Sequence, residues 1–192
     1  IFANPCKPRA HIIEAVCKGV RMVTFDNVEE VRKCGAISKK IELVLRIITN
    51  DSGSQCRLSS KFGAPKSRWP HLLAAAKEEG LQVIGVSFHV GSGCRDSSRY
   101  ELALLDAKVL FEMAEREFGF KMHILDIGGG FPGETHSLWN PVEYIDAVIS
   151  GNSKLDDVPD DEVKEVQQKE GKTLEEADMK EDDENKPLNF FD

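Results

Sequence analysis

Two glycine turns, Gly91-Ser92-Gly93 and Gly128-Gly129-Gly130, each close an apolar run, and the first leads into a sequence patterned as a helix. A serine hydroxyl, together with backbone N–H groups that glycine leaves approachable, suits an oxyanion such as a phosphate. The unpaired N–H groups of a helix start add to the same preference. GSG alone is a common kind of strand-to-helix turn, so the more specific signal is a second glycine turn at the end of the next strand, able to share one phosphate. In the run LQVIGVSFHV (81–90), alternation puts Gly85, Ser87 and His89 on one face and Ile84, Val86, Phe88 and Val90 on the other. The first face is small and polar, and His89 would project an imidazole into the space it leaves. The alternative is a core histidine hydrogen-bonded to a neighbouring carbonyl.

Asp126 sits just before the second glycine turn, as either a solvent-facing strand end or a carboxylate beside a ligand imidazole. Arg46 alternates with Val44 and Ile48. In a covered strand its guanidinium must find a partner, or reach the rim on its aliphatic stem. Cys94 follows GSG at a helix start, which favours a thiolate, but no base stands near it in sequence and a structural role is expected. The histidines His11, His71, His123 and His136 share no metal-ligand spacing, and no metal site is expected.

The elements that must position these residues alternate along the chain. Strands are expected over 1–4, 21–25, 41–48, 81–90 and 121–127. Between them, helices are expected over 11–18, from the Asp26/Asn27 start signal to Cys34 with Gly35 as the stop, over 68–79, and from Ser98 to about Gly119. The last of these has Ser98 and Glu101 at capping-box spacing, with Leu102, Leu105, Val109 and Met113 as its buried stripe. A weaker helix is expected near Pro141. Strands alternating with helices imply a parallel sheet covered on both faces. Functional-looking residues at the ends of consecutive strands, and no dinucleotide glycine fingerprint after the first, favour a partial (β/α)8 barrel over an open doubly wound sheet.

The net charge of -8 belongs to the last 42 residues, which hold 15 acidic against 6 basic side chains, while residues 1–150 hold 18 against 19. Residues 1–150 are therefore expected to form one domain, and 151–192 an acidic, low-complexity tail or insertion without stable structure. A near-neutral body without a basic stripe gives no reason to expect nucleic acid as a partner. Five cysteines, an odd number with no CxxC pair, suggest reduced thiols in a cytoplasmic protein. The apolar runs are strand-sized, so neither a membrane span nor a signal peptide is expected. Because Ile1 opens directly into an apolar run, further sequence is expected upstream.

Together, TFD (24–26), LVLRI (43–47), CRLSSKFG (56–63), VIGVSFHVGSGC (83–94) and LDIGGGFPG (125–133) resemble the pyridoxal-phosphate-dependent decarboxylases of the ornithine decarboxylase family. The resemblance covers residues 1–135 in order. SFHVGSGC and LDIGGGFPG are its most specific strings, because the related diaminopimelate decarboxylases share the plan but differ around the histidine. The resemblance implies a barrel of the alanine racemase type, a second β domain, and a homodimer with sites at the subunit interface. It implies pyridoxal 5'-phosphate as cofactor, with His89 stacked on the pyridine ring and Ser92, Gly128, Gly129 and Gly130 holding the phosphate. Arg46 and Asp126 would belong to the surrounding polar network, and Lys61 of KFG would lie near the dimer contact.

Several parts of the family pattern are not in this sequence: the Schiff-base lysine, the acidic partner of the pyridine nitrogen, the arginine of the phosphate site and the second domain. The chain is accordingly expected to be a fragment, inactive by itself, of an enzyme converting L-ornithine to putrescine in polyamine biosynthesis. The alternatives are a decarboxylase of diaminopimelate, arginine or lysine, and a non-catalytic regulator resembling the antizyme inhibitors, with an antizyme-type protein as partner. Such regulators tend to lose the phosphate-binding turn, so the intact GSG favours the enzyme. A third possibility makes the acidic tail an interaction module on a degenerate barrel.

Overall fold

Leu43, Val44 and Leu45 point alternately to opposite faces of one strand, yet all three are fully buried, so both faces of that strand are covered. This is the arrangement that alternating strands and helices require. The structure is a computed structural model that describes residues 1–52, 54–94 and 98–130. All of these fall within one of the chain's two units, Ile1–Pro141.

The described elements run α1 (Arg9–Cys17), β1 (Met22–Phe25), α2 (Val28–Ile37), β2 (Glu42–Arg46), a 3-10 turn (Lys66–Arg68), α3 (Trp69–Glu78), β3 (Gln82–Ser87), α4 (Ser98–Met113), a π turn (Ala114–Phe118) and β4 (Ile124–Asp126). The four strands form one parallel sheet in the order β1-β2-β3-β4. Each strand pairs with the next in sequence, and a helix occupies every connection. A doubly wound sheet would reverse direction at a switch point, whereas unbroken sequential order is that of a barrel arc. The expected first strand is reduced to a bridge, in which the Phe2 N–H donates to the Met22 carbonyl and the Thr24 N–H to the Phe2 carbonyl.

Asn27 caps α2, its side chain accepting from the Glu30 N–H at 2.8 Å. The helix does not stop at Gly35 as the sequence suggested. It continues to Ile37, because Gly35 serves packing: a Cβ there would stand 2.6 Å from Oε2 of Glu79, just beyond α3. In α3, Trp69, Leu72 and Leu73 are buried, and the Trp69 indole donates to the Ala64 carbonyl at 3.0 Å. Each such side chain stabilises the fold by about 1.5–3 kcal/mol.

In α4 the expected stripe is corrected. Its buried face is Tyr100, Ala103, Leu104, Ala107 and Leu110, while Val109 is exposed and Leu102, Leu105 and Met113 are only half-buried. Leu104 and Leu110 share that face with two alanines and Tyr100, so leucines stand on both candidate faces and Leu102 and Leu105 marked the wrong one. Ser98 is the first residue of the helix, with Glu101 in its first turn. Gly119 ends the π turn in the left-handed region, at φ 77°.

A buried ionic cluster ties the first segment to the sheet. The Lys7 ammonium donates to the carbonyls of Asn4 (2.8 Å) and Thr24 (2.6 Å) and pairs with Glu30 at 2.9 Å; the other oxygen of Glu30 meets Lys33 at 2.6 Å. The expected helix near Pro141, His136 and the acidic segment from residue 151 lie outside the described residues.

Candidate functional site

Strand register gathers a polar row. Arg46 on β2 pairs with Ser87 on β3, and Ser87 pairs with Asp126 on β4. Phe25 pairs with Leu45, so Asp26 continues the row on the β1 side. Four polar side chains thus stand abreast at the C-terminal ends of four parallel strands, where a barrel places its site. In the sequence Asp26 stands as a helix start signal and as the last residue of TFD, with no site role given to it. Its position beyond a strand end, in the parity of Arg46, was the signal for more.

Both carboxylate oxygens of Asp126 are engaged. One accepts from the Gly128 N–H at 3.0 Å, the other from the Ser87 hydroxyl at 3.1 Å. Asp126 therefore straps the second glycine turn to the sheet, and it makes no hydrogen bond to His89 among the described residues. Asp26 similarly accepts from the Gly63 N–H at 3.0 Å.

Arg46 is half-buried, with its guanidinium 4.9 Å from the centre of the Phe62 ring, and it forms no ion pair within 4 Å among the described residues. Burial lowers its pKa from the ordinary value, against the pull of Asp26 and Asp126. A cation kept on an aromatic face with no close carboxylate suits an anionic or electron-rich ligand. Phe62 belongs to the KFG segment, in which Lys61 is exposed.

β3 ends at Ser87, so the expected strand over 81–90 is shorter and His89 reaches its place from the turn rather than from the strand face. The turn fixes its ring: Nδ1 accepts from the Gly91 N–H at 3.0 Å, which leaves the proton of a neutral ring on Nε2. Burial, then the neighbouring Arg46, lowers the pKa of His89 and favours that neutral form, with Asp126 and Asp51 opposing.

The two glycine turns are in contact. A Cβ on Gly130 would overlap the Gly91 carbonyl, and Gly130 has φ +94°, so both space and backbone require glycine there. On Gly129 a Cβ would stand 3.3 Å from His89 Nε2. The Gly91 N–H is committed to His89, the Ser92 N–H to the Cys56 carbonyl and the Gly128 N–H to Asp126. Among the described residues, the N–H groups of Gly93, Gly129 and Gly130 and the Ser92 hydroxyl make no hydrogen bond, and these are the donors of the two turns left for an anion.

Two further residues shape the turns, and sequence reasoning missed both. Asp51, buried in the loop after β2, accepts from the Leu58 and Ser59 N–H groups and the Ser59 hydroxyl. Burial raises its pKa, but these hydrogen bonds outweigh it and leave the group below its ordinary value. The same loop forms the Cys56–Ser92 bridge that backs the first turn. Tyr100 of α4 donates from its hydroxyl to the Gly129 carbonyl at 3.0 Å. Cys94 is buried, in keeping with the structural role expected of it.

A parallel barrel arc with two touching glycine turns, unclaimed donors and a fixed imidazole at its strand ends has the makings of an anion-binding site. Residues 1–172 match the family described as pyridoxal-dependent decarboxylase, pyridoxal binding domain, and the chain belongs to that family. It is 50% identical over 150 residues to ornithine decarboxylase of Caenorhabditis elegans, covering 78% of this chain and 35% of that one. It is also 54% identical over 137 residues to antizyme inhibitor 2 of Xenopus laevis, covering 71% and 30% respectively. Among solved structures, the arginine decarboxylase of Paramecium bursaria Chlorella virus matches with a TM-score of 0.72 at 36% identity, over 78% of this chain and 40% of that one. The chain thus spans about a third of the length of these curated relatives. Its described arc is part of the α/β barrel of the family, and the family cofactor is pyridoxal phosphate.

Proposed function

We propose that the chain holds pyridoxal 5'-phosphate by its phosphate between Ser92 and the Gly129–Gly130 peptide, with His89 against the ring, and serves the decarboxylation of L-ornithine to putrescine. The observation that carries this reading is the contact of the two glycine turns, which leaves the Ser92 hydroxyl and the N–H groups of Gly93, Gly129 and Gly130 unclaimed beside the fixed His89 ring. When bound, the cofactor supplies an electron sink for the charge left behind by departing carbon dioxide. The chain's own residues bind and orient. Gly129 and Gly130 offer N–H groups and Ser92 a hydroxyl. Gly128 acts through its tether to Asp126 rather than as a donor. His89, held neutral and fixed by the Gly91 N–H, covers one side of the site and keeps its Nε2 proton there. Arg46 presents positive charge from the sheet floor.

In the complete protein we place this domain in a cytoplasmic homodimer, with ornithine as substrate. A regulator of the antizyme-inhibitor kind is the second reading, favoured by the 54% identity to antizyme inhibitor 2, and it would take an antizyme-type protein as partner. The intact Ser92 turn supports the cofactor-binding reading over that one.

The test is a chimera in which this chain replaces the matching 150 residues of the nematode ornithine decarboxylase. We expect turnover of L-ornithine, and a loss of it in His89→Ala well beyond any loss of folded protein. Unchanged turnover in His89→Ala would contradict the role given to that residue. A folded chimera that binds antizyme but neither pyridoxal phosphate nor ornithine would establish the regulator instead.

A further inference from the structure

The peptide between Gly129 and Gly130 is a single rigid plane, in which the Gly129 carbonyl and the Gly130 N–H point in opposite directions. Gly130 lies at φ +94° and neither residue carries a side chain, so little in the turn itself fixes how that plane is rotated. Among the described residues, one hydrogen bond from outside does. The Tyr100 hydroxyl, on the buried face of α4, donates to the Gly129 carbonyl at 3.0 Å, and the same oxygen would stand 3.3 Å from a Cβ on Gly130. Tyr100 is only 2% exposed, so its ring is held by the core and its hydroxyl reaches the turn from a fixed base. With the carbonyl drawn toward α4, the Gly130 N–H must face away from it, and that N–H makes no hydrogen bond among the described residues.

We infer that Tyr100 is a positioning residue that aims the Gly130 N–H at the phosphate of the cofactor. The inference rests on the proposed phosphate grip of the two glycine turns and adds to it the group that sets one donor's direction. It also divides the labour within the second turn. Asp126 anchors the peptide N–H of Gly128, and Tyr100 anchors the carbonyl of Gly129, so the turn is gripped from the sheet on one side and from α4 on the other. The burial that raises the pKa of Tyr100, with a further push from Cys94, keeps its proton in place as a donor throughout the neutral range.

The experiment is Tyr100→Phe in the full chain, which removes one oxygen and retains the packed ring. Affinities for pyridoxal phosphate and for pyridoxal, which lacks the phosphate, are measured beside the Gly130 amide resonance and the thermal midpoint. We expect the preference for pyridoxal phosphate to fall about two- to tenfold, the effect of one misdirected hydrogen bond. Pyridoxal affinity should hold, and the Gly130 resonance should move. A general loss of stability that weakens both ligands equally would reduce Tyr100 to a structural residue and overturn the inference. So would an unchanged preference. If the unmodified chain shows no preference for the phosphorylated ligand, the proposed grip itself fails; an unmoved Gly130 resonance in Tyr100→Phe would then separately refute the orienting contact.

Discussion

At the scale of single residues, His89 carries the clearest pH signature. Its pKa lies below the ordinary 6.5, with burial as the largest cause. An unfolded chain therefore takes up a proton there at a higher pH than the folded one does. The stability contributed by the neutral ring is fully present above about pH 6.5 and is lost as pH falls toward the lower folded value. Protonation would also abolish the acceptor that Nδ1 offers to the Gly91 N–H. Denaturant unfolding followed from pH 7.5 down to 5.5 should show a declining midpoint, and His89→Gln should flatten that decline. The residues that sequence alone exposed were those with an unusual local pattern: His89 on a small polar face, Ser92 between glycines, and the glycine triplet. Asp26, Asp51 and Tyr100 stayed hidden because their roles depend on partners 37, 8 and 29 positions away, and nothing in their own neighbourhood marks those distances.

Strands were the most legible elements, because β2 and β3 are short apolar runs whose two faces are both covered. Helix phase was less so. In α4 leucines stand on both candidate faces, Leu104 and Leu110 buried and Leu102 and Leu105 half-buried, so leucine spacing alone does not choose between them. Gly35 misled for a related reason, its glycine being demanded by Glu79 rather than by a chain reversal. The Lys7–Glu30–Lys33 cluster, joining the first segment to β1 and α2, supplies a prediction at this scale. Lys7→Met alone leaves Glu30 buried with one partner gone and should cost about 3–5 kcal/mol. The paired change Lys7→Met with Glu30→Leu should recover most of that, since apolar replacements of a buried ion pair are often neutral or better. Equilibrium unfolding in urea distinguishes the two. A double variant no more stable than the single would mean that the hydrogen bonds of Lys7 to Asn4 and Thr24, not its charge partner, carry the effect.

For the molecule as a whole, burial sorts the thiols. Cys6, Cys17 and Cys56 are exposed, whereas Cys34 and Cys94 are buried, and burial pushes the Cys34 thiol up to about 11. An aromatic disulfide reagent at neutral pH should modify the first three promptly and the other two only on unfolding. Pyridoxal phosphate should stabilise the folded domain by mass action, by about 2.7 kcal/mol at a hundredfold excess over Kd. Inorganic phosphate should compete with it, and thermal unfolding at graded ligand concentrations would measure both effects.

Because β2, β3 and β4 each hydrogen-bond to the strand that precedes them in sequence, none of these three described strands waits for a later one before it can dock. Each βα unit finds its template already laid down by the one before. Such a chain can be assembled in the order in which a ribosome delivers it, with the glycine turns of the site joined only when the last of the four strands arrives.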